Sequence, residues 1–143
     1  MNIKKSIIPI IISAVIVVIT TGINHLEHAL RTTIGDLLTF PVVFFSMFLL
    51  PIAPIMYGLI TRDKIGSITI GVVPVVGLFL YIYLSSIISR DFTRIDALAF
   101  FGILAILGGL EGYFASIKEI QYNILAICCF LFWVVFFIRG FID

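Results

Sequence analysis

Glu111 is the residue whose type and place in this sequence could carry chemistry. It stands in the run Gly108-Gly109-Leu110-Glu111-Gly112-Tyr113, inside an apolar stretch that extends from Ala97 to Ser116. At about 1.5 Å of rise per residue, a helix built on that stretch buries Glu111 roughly 20 Å from its start. An ionised carboxylate in hydrocarbon costs several kcal/mol, so it must be uncharged, face other helices or find a partner. No charged residue stands at matching depth in the other apolar stretches. Two readings follow. In one, Glu111 is a protonatable site for ion or proton coupling. In the other, it reaches toward the interface beside Lys118, or bonds to a hydroxyl such as that of Tyr57 or Tyr83. The sequence favours the second.

The residues around Glu111 are small. Gly108, Gly112 and Ser116 recur every four positions, a stripe that lets another helix approach closely. Helix packing is therefore their expected role. Prolines interrupt two other stretches: Pro51 and Pro54 in one, and Pro74, between Gly71 and Gly77, in the next. Each removes a backbone donor and frees a carbonyl one turn earlier. Broken helices of this kind form cation and substrate sites in transporters. A kink that helps a bundle pack is the plainer expectation here.

His25 and His28, with Glu27 between them, form the one cluster of metal-ligand types. Residues three apart share a helix face, and a carboxylate can join or orient them. The chain has 2 histidines in all, too few to complete a site, so no metal, haem or other cofactor is expected. Cys128 and Cys129 are adjacent in an apolar run and read as buried small hydrophobes. Nucleophile elbows, phosphate-binding glycine loops and His-Glu-x-x-His helices are missing from the sequence. Its histidines and aspartates fall near the loops, where an intramembrane protease cannot use them. The chain is expected not to be an enzyme. A net charge of +1 without a basic stripe sets nucleic-acid binding aside.

The elements that must position these residues follow from composition. Hydrophobic residues make up 62% of the 143, and charged ones 12%, with a mean hydropathy of +1.25. Soluble domains are about 45 to 50% apolar. A helix needs roughly 20 apolar residues to cross the hydrocarbon core of a bilayer. Five stretches meet that length, at about 6–24, 40–60, 65–88, 97–116 and 122–138. Backbone groups in lipid must be paired internally, so each is expected to be a helix. The first also has the layout of a signal peptide, with Lys4 and Lys5 before the apolar run, but no Ala-x-Ala-like site closes it. It is read as an uncleaved span; cleavage would leave four. The expected fold class is an all-α transmembrane bundle of about five helices, forming a single membrane domain over residues 1–143.

Between the first two spans, residues 25–39 place Leu26, Leu30, Ile34 and Leu37 on one helical face, and Glu27, His28, Arg31 and Asp36 largely on the other. This pattern predicts an amphipathic interfacial helix with a Glu27 to Arg31 pair. The last span is rich in aromatic residues spread around its circumference, including Phe130, Phe132, Trp133, Phe136 and Phe137, and is expected at the periphery of the bundle.

Lys4, Lys5, Arg62, Lys64 and Lys118 fall on one side of a five-span chain, and Arg31, Arg90, Arg94 and Arg139 on the other. The excess points to a cytoplasmic N-terminus, most simply in the cell membrane. The expected partners are the lipid bilayer and either other membrane subunits or further copies of the chain. Small size, short loops and scarce intramembrane polarity favour an accessory or structural subunit of a larger membrane complex. The alternative is a small oligomeric transporter or channel-like protein with Glu111 and the proline-broken helices as its path.

Overall fold

The computed structural model describes residues 3–89 and 95–142, and among them there is helix and no strand. Six helices follow in chain order: α1 (Ile3–Ile34), α2 (Asp36–Met47), α3 (Leu49–Thr61), α4 (Lys64–Ser89), α5 (Ile95–Ala115) and α6 (Ile120–Ile142). Five segments within them are long and apolar enough to cross a membrane: Ile7–Glu27, Phe44–Thr61, Lys64–Ser86, Ala97–Ala115 and Ile120–Gly140. The protein is a multi-pass all-α membrane bundle.

α4 and α5 form the central pair. α3 packs against both, α1 lies on the far side of α4, α6 on the far side of α5, and α2 beside α1. The core between them is built from Ile16, Leu50, Ile70, Leu78, Leu104 and Trp133. The outward surface is apolar, with Val18, Phe45, Ile106 and Phe132 among its exposed side chains, as contact with lipid tails requires.

Two elements depart from the sequence expectation. The amphipathic stretch is helical, and Arg31 does pair with Glu27 at 3.0 Å, but it is no separate interfacial helix. α1 runs through it without interruption to Ile34, because nothing in residues 24–34 breaks a helix. The break comes at Gly35, whose φ of 79° is costly for a residue with a Cβ. The second span is divided between α2 and α3 at Phe48. Pro51, three residues on, has no N–H to give the Met47 carbonyl. α6 lies at the periphery of the bundle, against α5; on its inner side Trp133 is 1% exposed, and its indole N–H donates to the Leu104 carbonyl at 3.1 Å. The opposite side of α6 does face outward, through Phe132 and Val135.

Short, capped connections hold the remaining helices in register. α3 ends where Arg62 adopts the left-handed conformation (φ 57°) and donates its backbone N–H to the Gly58 carbonyl at 3.0 Å. Asp63 then caps α4, accepting the Gly66 N–H on its carboxylate at 3.2 Å, a common start for a helix. The Arg62 guanidinium reaches across to the carbonyls of Ala115 at 3.0 Å and Ile117 at 3.2 Å. A cation there satisfies the free acceptors at the end of α5 and opposes its dipole. Arg90 and Arg94, used above to count charge, lie outside the described residues.

Candidate functional site

Glycine brings three helices together around Glu111. Gly71 of α4 and Gly108 of α5 meet backbone to backbone: a Cβ on Gly108 would sit 2.6 Å from the Gly71 carbonyl oxygen. One turn along, a Cβ on Gly112 would overlap the Ser67 carbonyl of α4 and lie 3.1 Å from the Pro54 Cβ of α3. Gly58 of α3 completes the seam, since a Cβ there would stand 2.9 Å from the Gly112 oxygen and 3.0 Å from the Ser116 nitrogen. Side chains that small are what let helix axes approach so closely.

Glu111 lies between these contacts along α5. Its side chain is fully buried, and neither carboxyl oxygen has a hydrogen-bond partner. Buried polar groups are overwhelmingly paired, because leaving one unmade forfeits its hydration without replacement. The two bland outlets for Glu111 are not taken. The Tyr57 hydroxyl donates instead to Asp63, at 3.5 Å, Tyr83 lies on the exposed surface, and Lys118 is exposed beyond the end of α5. Lys64 is placed 5.5 Å over the Tyr113 ring, a cation to π contact.

Proline supplies acceptors in the same layer. Pro54 leaves the Leu50 carbonyl without its helical donor, and Pro74 does the same for Ile70. Leu50 and Ile70 are both buried in the core. Gly71, next to Ile70, touches Gly108, while Pro54, one turn from Leu50, touches Gly112. The proline-interrupted turns of α3 and α4 thus pack against the 108–112 stretch of α5 that contains Glu111. Pro51, Pro54 and Pro74 are all buried, as is Pro9 in the first span, and α4 continues through Pro74 from Lys64 to Ser89.

The other sequence candidates lie elsewhere. His25 Nδ1 is 3.3 Å from the Tyr81 hydroxyl, at the end of the bundle remote from Arg62. His28 lies outside the residues whose side chains are described. Among the described residues no group of three or more His, Cys, Asp and Glu side chains converges. The cysteines do not both face inward, as the sequence reading had them: Cys128 is exposed and Cys129 half-buried. Adjacent residues on a helix point about 100° apart, so one face cannot hold both.

The chain matches no family model, no curated protein and no solved structure.

Sequence reasoning identified Glu111 and the glycines of α5 but missed the surfaces they meet. Gly58 and Ser67 carry no motif, and Gly71 was noted solely for its proximity to Pro74. A small residue on each facing helix was the available signal, but which helices face each other is not written in any one segment.

Proposed function

We propose that the protein is a small ion-coupled membrane protein, in which Glu111 binds and releases a proton or a monovalent cation within the bilayer. The observation that carries this reading is the fully buried Glu111 carboxyl with no hydrogen-bond partner. An intramembrane carboxyl is expensive to keep, and in a purely structural bundle leucine would pack as well at no electrostatic cost. The neutral acid is the form that such an apolar site tolerates. Ionisation there requires that water or a cation reach the oxygens as the proton leaves. The carbonyls freed by Pro54 and Pro74 provide further oxygen ligands at that level, in the manner of discontinuous transporter helices. The lysine distribution favours a cytoplasmic N-terminus.

An accessory subunit of a larger complex is the second reading. It is favoured by the shortage of other polar side chains beside Glu111, which leaves this bundle without an evident continuous polar path of its own. The two separate in one preparation. The purified protein is reconstituted into vesicles containing a pH-sensitive dye, and proton flux is followed under imposed proton, sodium and potassium gradients. Coupling at Glu111 predicts a flux that Glu111→Gln reduces at least about tenfold, while the variant keeps the wild-type helix content. Native mass in mild detergent, read in parallel, predicts a monomer or homo-oligomer. No flux together with a stoichiometric set of other chains would replace the transport reading with the subunit reading.

A further inference from the structure

A second site lies at the other end of the bundle. There a cavity of about 670 Å³ opens between the end of the first span, the end of α2, α4, the first turns of α5 and the last turns of α6. Its walls are apolar, with Phe100, Phe101, Phe136 and Phe137 the largest side chains, and Asn24 and Arg139 are the polar residues that line it. It is separate from the Glu111 site. The deepest α5 residue lining it, Ile103, precedes Glu111 by eight positions, or roughly 12 Å along the helix.

The cavity is shaped by specific contacts. Phe100 and Phe136 stack with their ring centroids 5.3 Å apart, and the Phe100 ring lies against Gly140, where any Cβ would overlap it. Glycine at that position therefore lets the ring fold onto α6. Arg139 is exposed and forms no hydrogen bond or ion pair with a described residue. An exposed arginine at the rim of an apolar, aromatic-walled space offers a cation to the head of an anionic ligand. Its planar guanidinium matches a carboxylate with two parallel hydrogen bonds. Burying a long apolar chain against the phenylalanines supplies the remaining affinity. The volume is that of a pocket for one small-molecule ligand.

We propose that this cavity binds a single-chain anionic amphiphile, a long-chain fatty acid, with its carboxylate on Arg139 and its hydrocarbon chain among the rings of Phe100, Phe101, Phe136 and Phe137. The assignment stands independently of any ion coupling at Glu111.

The test uses a palmitate analogue carrying a diazirine on its chain, photolysed with the full-length protein in phosphatidylcholine vesicles. Labelling is expected on peptides containing residues 97–103 and 136–140, and an excess of unlabelled palmitate should suppress it. Hexadecanol, which has the chain without the charge, should compete at least about tenfold less well, the difference expected of a charge-assisted hydrogen bond. Arg139→Gln should lower labelling by a similar factor, Arg139→Lys, which keeps the charge but not the paired hydrogen bonds, should restore part of it, and Ala99→Trp should block it by filling the space. Labelling spread over the whole lipid-facing surface, equal competition by hexadecanol, or full labelling of Arg139→Gln would each overturn the proposal. Competition by phosphatidylglycerol as strong as that by palmitate would overturn the single-chain assignment and make the site one for a phospholipid.

Discussion

A carboxyl and an indole, buried to the same degree, show how differently this bundle treats its polar groups. Trp133 presents its one donor to the Leu104 carbonyl at 3.1 Å, while both oxygens of Glu111 go without a partner. The first arrangement is what a packed core does by default, and the second costs free energy that folding alone gives no reason to spend. The indole is thus a structural tie between α5 and α6. Trp133→Phe keeps most of the apolar volume but loses the hydrogen bond. It should lower stability by about 1 kcal/mol, measured by thermal unfolding in detergent, with no change in ion flux. A loss of flux in that variant would mean that the α5 to α6 contact serves the site directly.

Among the elements, α5 carries both the site and the means of positioning it. Its glycines let α4 and α3 come within backbone contact on either side of residue 111, so the carboxyl is enclosed by helices. Gly71→Ala or Gly108→Ala forces a methyl group into the opposing backbone and should cost about 1 to 3 kcal/mol. Gly102→Ala, on the same helix with nothing within 4 Å of the added carbon, should be neutral or stabilise by up to about 1 kcal/mol. Thermal unfolding of the three variants checks this; equal effects would show that the seam is not tightly packed.

How much of this was legible in the sequence depends on the range of the interaction. The spans follow from uninterrupted apolar length, because lipid imposes helix on any such run. Glu111 is conspicuous as a carboxylate among glycines. The facing surfaces were not legible: Gly58 and Gly71 become partners of α5 through the order in which helices pack, and a stripe on one helix does not name its neighbour. The stretch from Asn24 to Ile34 was misread because its amphipathic pattern describes a helix on a surface equally well whether it is separate from the span or continuous with it. The peripheral place of α6 was legible, but aromatic residues all around it concealed that Trp133 is the one that bonds to α5.

At the scale of the whole molecule, an odd number of spans places the two ends of the chain on opposite sides of the membrane. Single cysteines introduced near Lys4 and near Arg139, in a background where Cys128 and Cys129 are serine, should therefore differ in intact cells. A membrane-impermeant maleimide should label the C-terminal position and spare the N-terminal one; the reverse pattern would invert the orientation, and labelling of both would contradict five spans. Among the described residues the bundle holds the Glu111 carboxyl in its interior and Arg139 at the rim of an apolar cavity, in a body otherwise fitted to lipid. What sets the interior site apart is exchange: a buried acid that merely fills space keeps its proton, whereas a coupling site gives it up. The most direct measurement is pH-difference infrared spectroscopy of the lipid-reconstituted protein, wild type against Glu111→Gln, which reads the carbonyl stretch of a protonated carboxylic acid. A band that rises and falls with pH in the wild type and is missing from the variant is the predicted result; superimposable difference spectra would show that Glu111 does not exchange a proton and would contradict the account.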